Sequence, residues 1–134
     1  MSNCAIILAG GEGKRMKSNL PKPMSEVLGK PMLRWVIDSV KSAGVDDICV
    51  VKGYKKECID EFVSSLPFEV ETVYQAERLG TGHAVMMAKD FLEKHSGNVV
   101  ILNGDAPFMD AKTISDALAL HTEKGSVATV ISAL

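Results

Sequence analysis

The sequence predicts an α/β fold: three layers, α/β/α, around a mostly parallel sheet. Two observations predict it. Short apolar, β-branched runs alternate with segments of helical periodicity along the whole chain, the order expected of parallel strands covered by helices on both faces. The two loops richest in glycine and charge both leave the carboxyl ends of apolar strands, where open α/β sheets bind ligands.

The elements follow in order. Residues 4–8 form an apolar strand that runs into Gly10, Gly11 and Gly13. Pro31 suits the first turn of a helix over 32–43, whose Leu33, Val36, Ile37 and Val40 share one face. Gly44 is its stop. Residues 47–51 make a second strand, and 55–64 a weaker helix that ends before Pro67. Residues 69–74 alternate acidic and apolar, as a half-exposed strand does. Thr81 can cap a helix over 82–94 with Ala84, Val85, Ala88, Phe91 and Leu92 on its buried face. Residues 98–102 are the most apolar strand and are expected at the centre of the sheet. Asp110 can cap a helix over 111–124, and 126–134 read as a further strand. That last run has no turn or capping element after it, so the chain is expected to be truncated.

Composition bounds the function. The chain has 134 residues, enough for one domain, with 46% hydrophobic and 24% charged residues. A formal charge of −2 and 5% aromatic content argue against a nucleic-acid or anionic-membrane binder. Cys4, Cys49 and Cys58 form no CxxC pair, so neither a disulfide framework nor a zinc site is expected. A reducing cytoplasm fits this usage. There is no signal peptide pattern and no apolar run long enough to span a membrane. His95 and His121 are expected at helix ends facing solvent, and Trp35 at the edge of an apolar helix face.

Three constellations carry possible chemistry. The first is the loop after residue 8. Its glycines allow close backbone approach to a ligand, and Lys14, Arg15, Lys17 and Lys22 outnumber Glu12. A solvated basic loop is the plainer account. A P-loop, G-x-x-x-x-G-K-S/T, fails because Arg15 follows Lys14 and Leu8 stands at the first glycine position. A dinucleotide fingerprint fails because Met16 stands at the third glycine, and Pro21 and Pro23 follow. The second constellation is the segment from Gln75 to Ala84. Gln75 offers both a donor and an acceptor to a base edge, and Gly80 leaves room for a flat ring. Helix capping explains the same residues. The third is Asn103-Gly104-Asp105-Ala106-Pro107: an acid just after a buried strand, either a Mg²⁺ ligand or a turn residue. No Asp–His partner lies near Ser18 or Ser25, so a hydrolase triad is not supported.

These motifs together resemble the sugar-phosphate nucleotidyltransferase (pyrophosphorylase) family. Leu8-Ala9-Gly10-Gly11-Glu12-Gly13-Lys14-Arg15-Met16 and Pro21-Lys22-Pro23 match its signature, L-A-G/A-G-x-G-x-R-M/L followed after several residues by P-K-P/V. Lys14 departs from the threonine that many members carry. Gln75, Gly80, Thr81 and Ala84 match the Q-x-x-x-x-G-T-x-x-A segment of bacterial N-acetylglucosamine-1-phosphate uridylyltransferases. Gly104-Asp105-Ala106-Pro107 matches G-D-x-P.

The resemblance implies the Rossmann-like, glycosyltransferase-A-like sheet of these enzymes. It implies a reaction joining a sugar 1-phosphate, here N-acetylglucosamine 1-phosphate, to UTP with release of pyrophosphate. It assigns Arg15 and Lys22 to catalysis. Leu8, Ala9, Gly10, Gly11, Gly13, Gln75, Gly80, Thr81, Asn103 and Gly104 would bind the nucleotide, and Asp105 would bind Mg²⁺. It covers only the nucleotide half of the family's domain, so residues 1–134 are expected to be that half. Two other readings stand beside it: a catalytically incompetent nucleotide-binding module, and a molybdenum-cofactor nucleotidyltransferase, which shares the first loop but lacks the Gln75–Ala84 segment.

Overall fold

A computed structural model describes residues 3–10, 22–77, 79–105 and 110–125. The expected strand over 126–134 and the loop residues 11–21 lie outside the described residues.

The strands that build the main sheet are the apolar runs of the sequence. They are β1 (Cys4–Ala9), β4 (Asp47–Lys52), β5 (Glu71–Tyr74) and β6 (Val99–Asn103). All pair in parallel, in the order β5-β4-β1-β6. The chain steps one way from β1 through β4 to β5, then crosses back to β6. The order therefore reverses between β1 and β6, the switch at which such sheets hold ligands.

Side chains alternate across each strand. Ala5, Ile7 and Ala9 of β1 face one way and pack with α1 (Met32–Ser42), α2 (Lys56–Ser64) and α5 (Ala111–Lys124) through Leu33, Val36, Ile37, Val40, Ile59 and Ile114. Cys4 and Ile6 face the other way, with Cys49 and Val51 of β4. They pack against Ala84 of α3 (Thr81–Met87) and Phe91 of α4 (Lys89–Glu93). The result is the three-layer α/β/α arrangement.

Four details depart from expectation. The helix over 82–94 is two helices, because Ala88 (φ −93°, ψ 18°) donates its N–H to Val85 O, three residues back, and tightens the turn. Strand β6 is at the edge of the sheet among the described residues, and Val99 and Ile101 are 40% and 47% exposed. Among the described residues, only β1 and β4 have a strand on each side and are covered on both faces, so they are the central pair. His95 does not face solvent: its ring lies 4.7 Å from that of Phe91 and its Nδ1 3.8 Å from the Asp47 carboxylate.

The fourth is a small hairpin, β2 (Glu26–Val27) with β3 (Lys30–Pro31). Leu28 and Gly29 turn it with φ of 52° and 84°, the paired positive values of a type I′ turn. Trp35 of α1 holds it by donating its indole N–H to Val27 O at 2.8 Å. Asp110 caps α5 as expected, accepting from Thr113 N at 2.8 Å. No helix among the described residues is long and apolar enough to cross a membrane.

The central pair buries two thiols, Cys4 and Cys49, each fully buried, whereas Cys58 is part-exposed. Burial pushes the Cys49 thiol up to about 12, with Glu71 adding to the effect. Burial and, less, Asp47 also raise that of Cys4. The thiolate is the nucleophile, so both should be inert in the folded chain. Iodoacetamide at about pH 8 is expected to label Cys58 alone, and all three cysteines after denaturation, as read by mass spectrometry of the peptides.

Candidate functional site

Three strand ends converge on one cleft, and backbone contact brings them together. Gly10 follows β1, Gly53 follows β4 and Gln75 follows β5. Gln75 N donates to Lys52 O at 2.8 Å, and Tyr54 N donates to Gly10 O at 3.4 Å. A Cβ on Gly53 would lie 3.1 Å from Gly10 Cα, 3.2 Å from Gly10 O and 3.4 Å from Gln75 O. Only a residue without a side chain allows that approach.

The fourth strand end joins through Gly104, whose N–H donates to Leu8 O at 2.9 Å. A Cβ there would lie 3.2 Å from Leu8 O and 3.3 Å from Pro23 Cβ, so this glycine too is a close-approach position. It brings Asn103 and Asp105 to the wall opposite Gln75.

The cleft has a volume of about 270 Å³ and two chemically distinct sides. On one side stand Gln75, Gly80, Thr81 and Ala84. Gln75 is only 7% exposed. Its Nε2 donates to Gly80 O at 3.3 Å and lies 3.0 Å from His83 Nδ1. Gly80 takes φ +99°, open only to glycine without strain, and is itself the N-cap of α3. Thr81 is therefore the first residue of the helix and not its cap.

The other side carries charge. Lys22 opens a 3₁₀ turn, Lys22–Met24, in which Pro23 is buried and Ser25 N donates to Lys22 O at 3.0 Å. Lys22 Nζ lies 3.0 Å from Asp105 Oδ2, with side chains 47% and 32% exposed. A hard carboxylate oxygen and an ammonium thus share the mouth of the cleft. Among the described residues no group of three or more His, Cys, Asp or Glu could hold a metal, so Asp105 stands as a single carboxylate.

Of the residues singled out from sequence, Leu8, Gly10, Lys22, Gln75, Gly80, Thr81, Asn103 and Asp105 line this cleft. Gly104 lies buried behind it. Ala9 does not line it: the two-residue period of β1 turns Leu8 to the cleft and Ala9 into the core beside α1. Gly11, Gly13 and Arg15 lie outside the described residues. Pro23 and Ala84 belong to the matched motifs but were given no site role, and neither was His83. Ala84 is the apolar helix position that sequence periodicity already marks as buried. The Gln75–His83 contact has no signal beyond their eight-residue separation.

The family described as MobA-like NTP transferase domain matches residues 5–133. The chain belongs to this family. The Bifunctional protein GlmU of Acetivibrio thermocellus is 45% identical over 130 residues, which cover 97% of this chain and 28% of that protein. That of Clostridium beijerinckii is 44% identical over 134 residues, 100% of this chain and 29% of that protein. This chain therefore spans less than a third of the length of these curated relatives. Among solved structures, the UDP-glucose pyrophosphorylase from Acinetobacter baumanii superposes with a TM-score of 0.79 at 21% identity, over 94% of this chain and 54% of that one. At that identity the likeness speaks for the fold: the same sheet and flanking helices.

The half-exposed Lys22–Asp105 pair should add little to stability, at most about 1 kcal/mol. Lys22→Ala and Asp105→Asn are expected to melt within about 4 °C of wild type by circular dichroism. A larger loss in either variant would make the pair a structural tie.

Proposed function

We propose that this chain is the nucleotide-binding half of a sugar-1-phosphate uridylyltransferase. The reaction joins N-acetylglucosamine 1-phosphate to the α-phosphate of UTP and releases pyrophosphate. The observation that carries the reading is the single cleft that sets a buried carboxamide and a glycine ledge on one side and the Lys22–Asp105 pair on the other. The first suits a pyrimidine and the second a triphosphate. The similarity to the GlmU proteins supports the choice of nucleotide and sugar. The retained Gln75–Ala84 segment favours it over a molybdenum-cofactor substrate.

The attacking oxygen belongs to a phosphate whose second pKa is about 6, so no protein base is required. The protein's task is alignment and charge neutralisation. Lys22, at the mouth of the cleft, is assigned to the α-phosphate and the charge that builds there. Gln75, Gly80 and Thr81 orient the base, and Leu8 and Gly10 present an apolar wall and bare backbone. Arg15, from the sequence signature, is assigned to the β- and γ-phosphates. Mg²⁺ fits the donor set, because it is commonly held by one or two carboxylates plus substrate phosphates and waters. Asp105 would supply its protein ligand, and the ion, when bound, would neutralise triphosphate charge.

Two measurements test the reading. Calorimetric titration of the chain with UTP, CTP, GTP and dTTP in Mg²⁺ is expected to show UTP binding tightest. A preference for GTP would refute it. Pyrophosphate release from UTP and N-acetylglucosamine 1-phosphate is expected to fall at least ~10²-fold in Lys22→Ala and in Asp105→Asn. UTP binding without any pyrophosphate release by the wild-type chain would instead make it a nucleotide-binding module.

A further inference from the structure

The contact that the proposed function leaves unused is between Gln75 and His83. Gln75 is buried at the end of β5, where its backbone is fixed by the bond to Lys52 O. Its carboxamide has two faces of opposite hydrogen-bonding sense, and only one of them can meet a ligand. Gly80 O is a carbonyl and can only accept. The atom of Gln75 that faces it at 3.3 Å must therefore be the Nε2 donor. That nitrogen has two hydrogens, and the second points to His83 Nδ1 at 3.0 Å. For this contact to be a hydrogen bond, Nδ1 must accept, so the His83 ring carries its proton on Nε2.

With both hydrogens engaged, Gln75 has no donor left for the cleft. What it presents is Oε1, which would lie 3.5 Å from a Cβ on Gly10, a residue of the cleft wall. An acceptor in that place pairs with a ring N–H. Facing the N3 edge of a pyrimidine, it accepts from the N3–H of uracil and meets a lone pair at N3 of cytosine, whose donor is the amino group on C4. Rotating the carboxamide by half a turn would reverse the preference. It would also set Oε1 against Gly80 O, which can only accept, and would require the His83 ring to move its proton from Nε2 to Nδ1. Gly80 O, which also accepts from Ala84 N at 3.1 Å, fixes the sense of the carboxamide, and the shorter contact to His83 holds it there as long as Nδ1 is unprotonated.

We propose that His83 is a positioning residue for base selection: its Nδ1 holds the Gln75 carboxamide with Oε1 toward the cleft, and so favours uracil over cytosine. His83 does not line the cleft and touches no ligand; it acts through Gln75. This rests on the uridine-nucleotide reading above, and it adds which residue sets the discrimination.

The test compares UTP and CTP affinities by calorimetry for wild type, His83→Leu and His83→Asn, alongside melting temperature. Leucine removes the acceptor; the side-chain carbonyl of asparagine can restore one. The loss of one hydrogen bond of about 1–1.5 kcal/mol corresponds to roughly a tenfold change. The UTP-to-CTP affinity ratio is expected to fall about tenfold in His83→Leu, and to recover in His83→Asn, with both variants melting within about 4 °C of wild type. A ligand-free readout is the Gln75 side-chain amide in ¹⁵N–¹H spectra. Its two proton resonances should be shifted and sharp in wild type and collapse toward solvent-exposed glutamine values in His83→Leu. A His83→Leu chain that keeps both the wild-type ratio and the wild-type amide resonances would overturn the proposal while leaving the uridine reading intact. A wild-type chain that binds CTP as tightly as UTP would overturn both.

Discussion

The site depends on the contact between two backbones, at Gly10 and Gly53. β1 and β4 are parallel neighbours whose carboxyl ends would normally splay to make room for side chains. Here they close until a single added carbon at Gly53 would be 3.1 Å from Gly10 Cα. Gln75, at the end of the next strand, is drawn into the same contact through its carbonyl, 3.4 Å from that position. Three strands therefore end in one rigid patch. That patch carries a carboxamide on one edge and bare glycine backbone beside it. A ligand ring meets a surface that needs no side chain to move aside.

The layering of the fold then separates the two chemistries. Helices α1, α2 and α5 cover one face, and α3 and α4 the other. The start of α3 lies over the β1 and β4 ends, so the residues proposed to address a base come from that corner. The crossover from β5 to β6 passes to the far side of β1, and the loop after β6 supplies Asn103 and Asp105 there. The Leu8–Gly104 hydrogen bond fixes the distance between the two groups. A ligand with a flat, neutral end and a charged end can be read by both at once, because the reversal of strand order puts both at the mouth of one sheet.

Much of this was legible in the sequence, and the failures have physical causes. The alternation of apolar runs gave the strands and helices, since periodicity records which faces are buried. Gly10, Gln75, Gly80 and Asp105 were legible because polar and glycine residues at strand ends have few structural reasons to be there. Gly53 was not, because a glycine after a strand looks like any turn until one knows which strand lies beside it. Neither was His83, whose partner is set by how the first turn of α3 folds back onto β5. Strand β6 reads as central because its composition is apolar. Its other face is uncovered among the described residues, and composition alone does not report a missing neighbour. The 82–94 periodicity reads through Ala88 because the tightened turn there shifts the helix phase without placing a polar residue on the buried face.

The two sides of the cleft are also held by different means, and this bears on how each can work. Gln75, itself buried, is locked by a backbone bond to Lys52 O, a glycine contact and two part-buried side-chain contacts. Lys22 is tethered less directly. Its turn is pinned at Pro23 and by Met32 N donating to Ser25 O at 2.9 Å. The hairpin beyond is clamped to α1 by Trp35, by Lys30 over the indole at 3.8 Å, and by Asp38 gripping both Lys30 and Arg34. The backbone of Lys22 is thus anchored while its ammonium stays half-exposed, paired with a carboxylate that is about a third exposed. In the proposed function, the rigid corner would select a base by shape and donor pattern. The charge corner, with exchangeable partners, would let phosphate oxygens replace the carboxylate on Lys22 and leave Asp105 open to a cation. The strand switch lets one sheet hold a stiff half and a labile one.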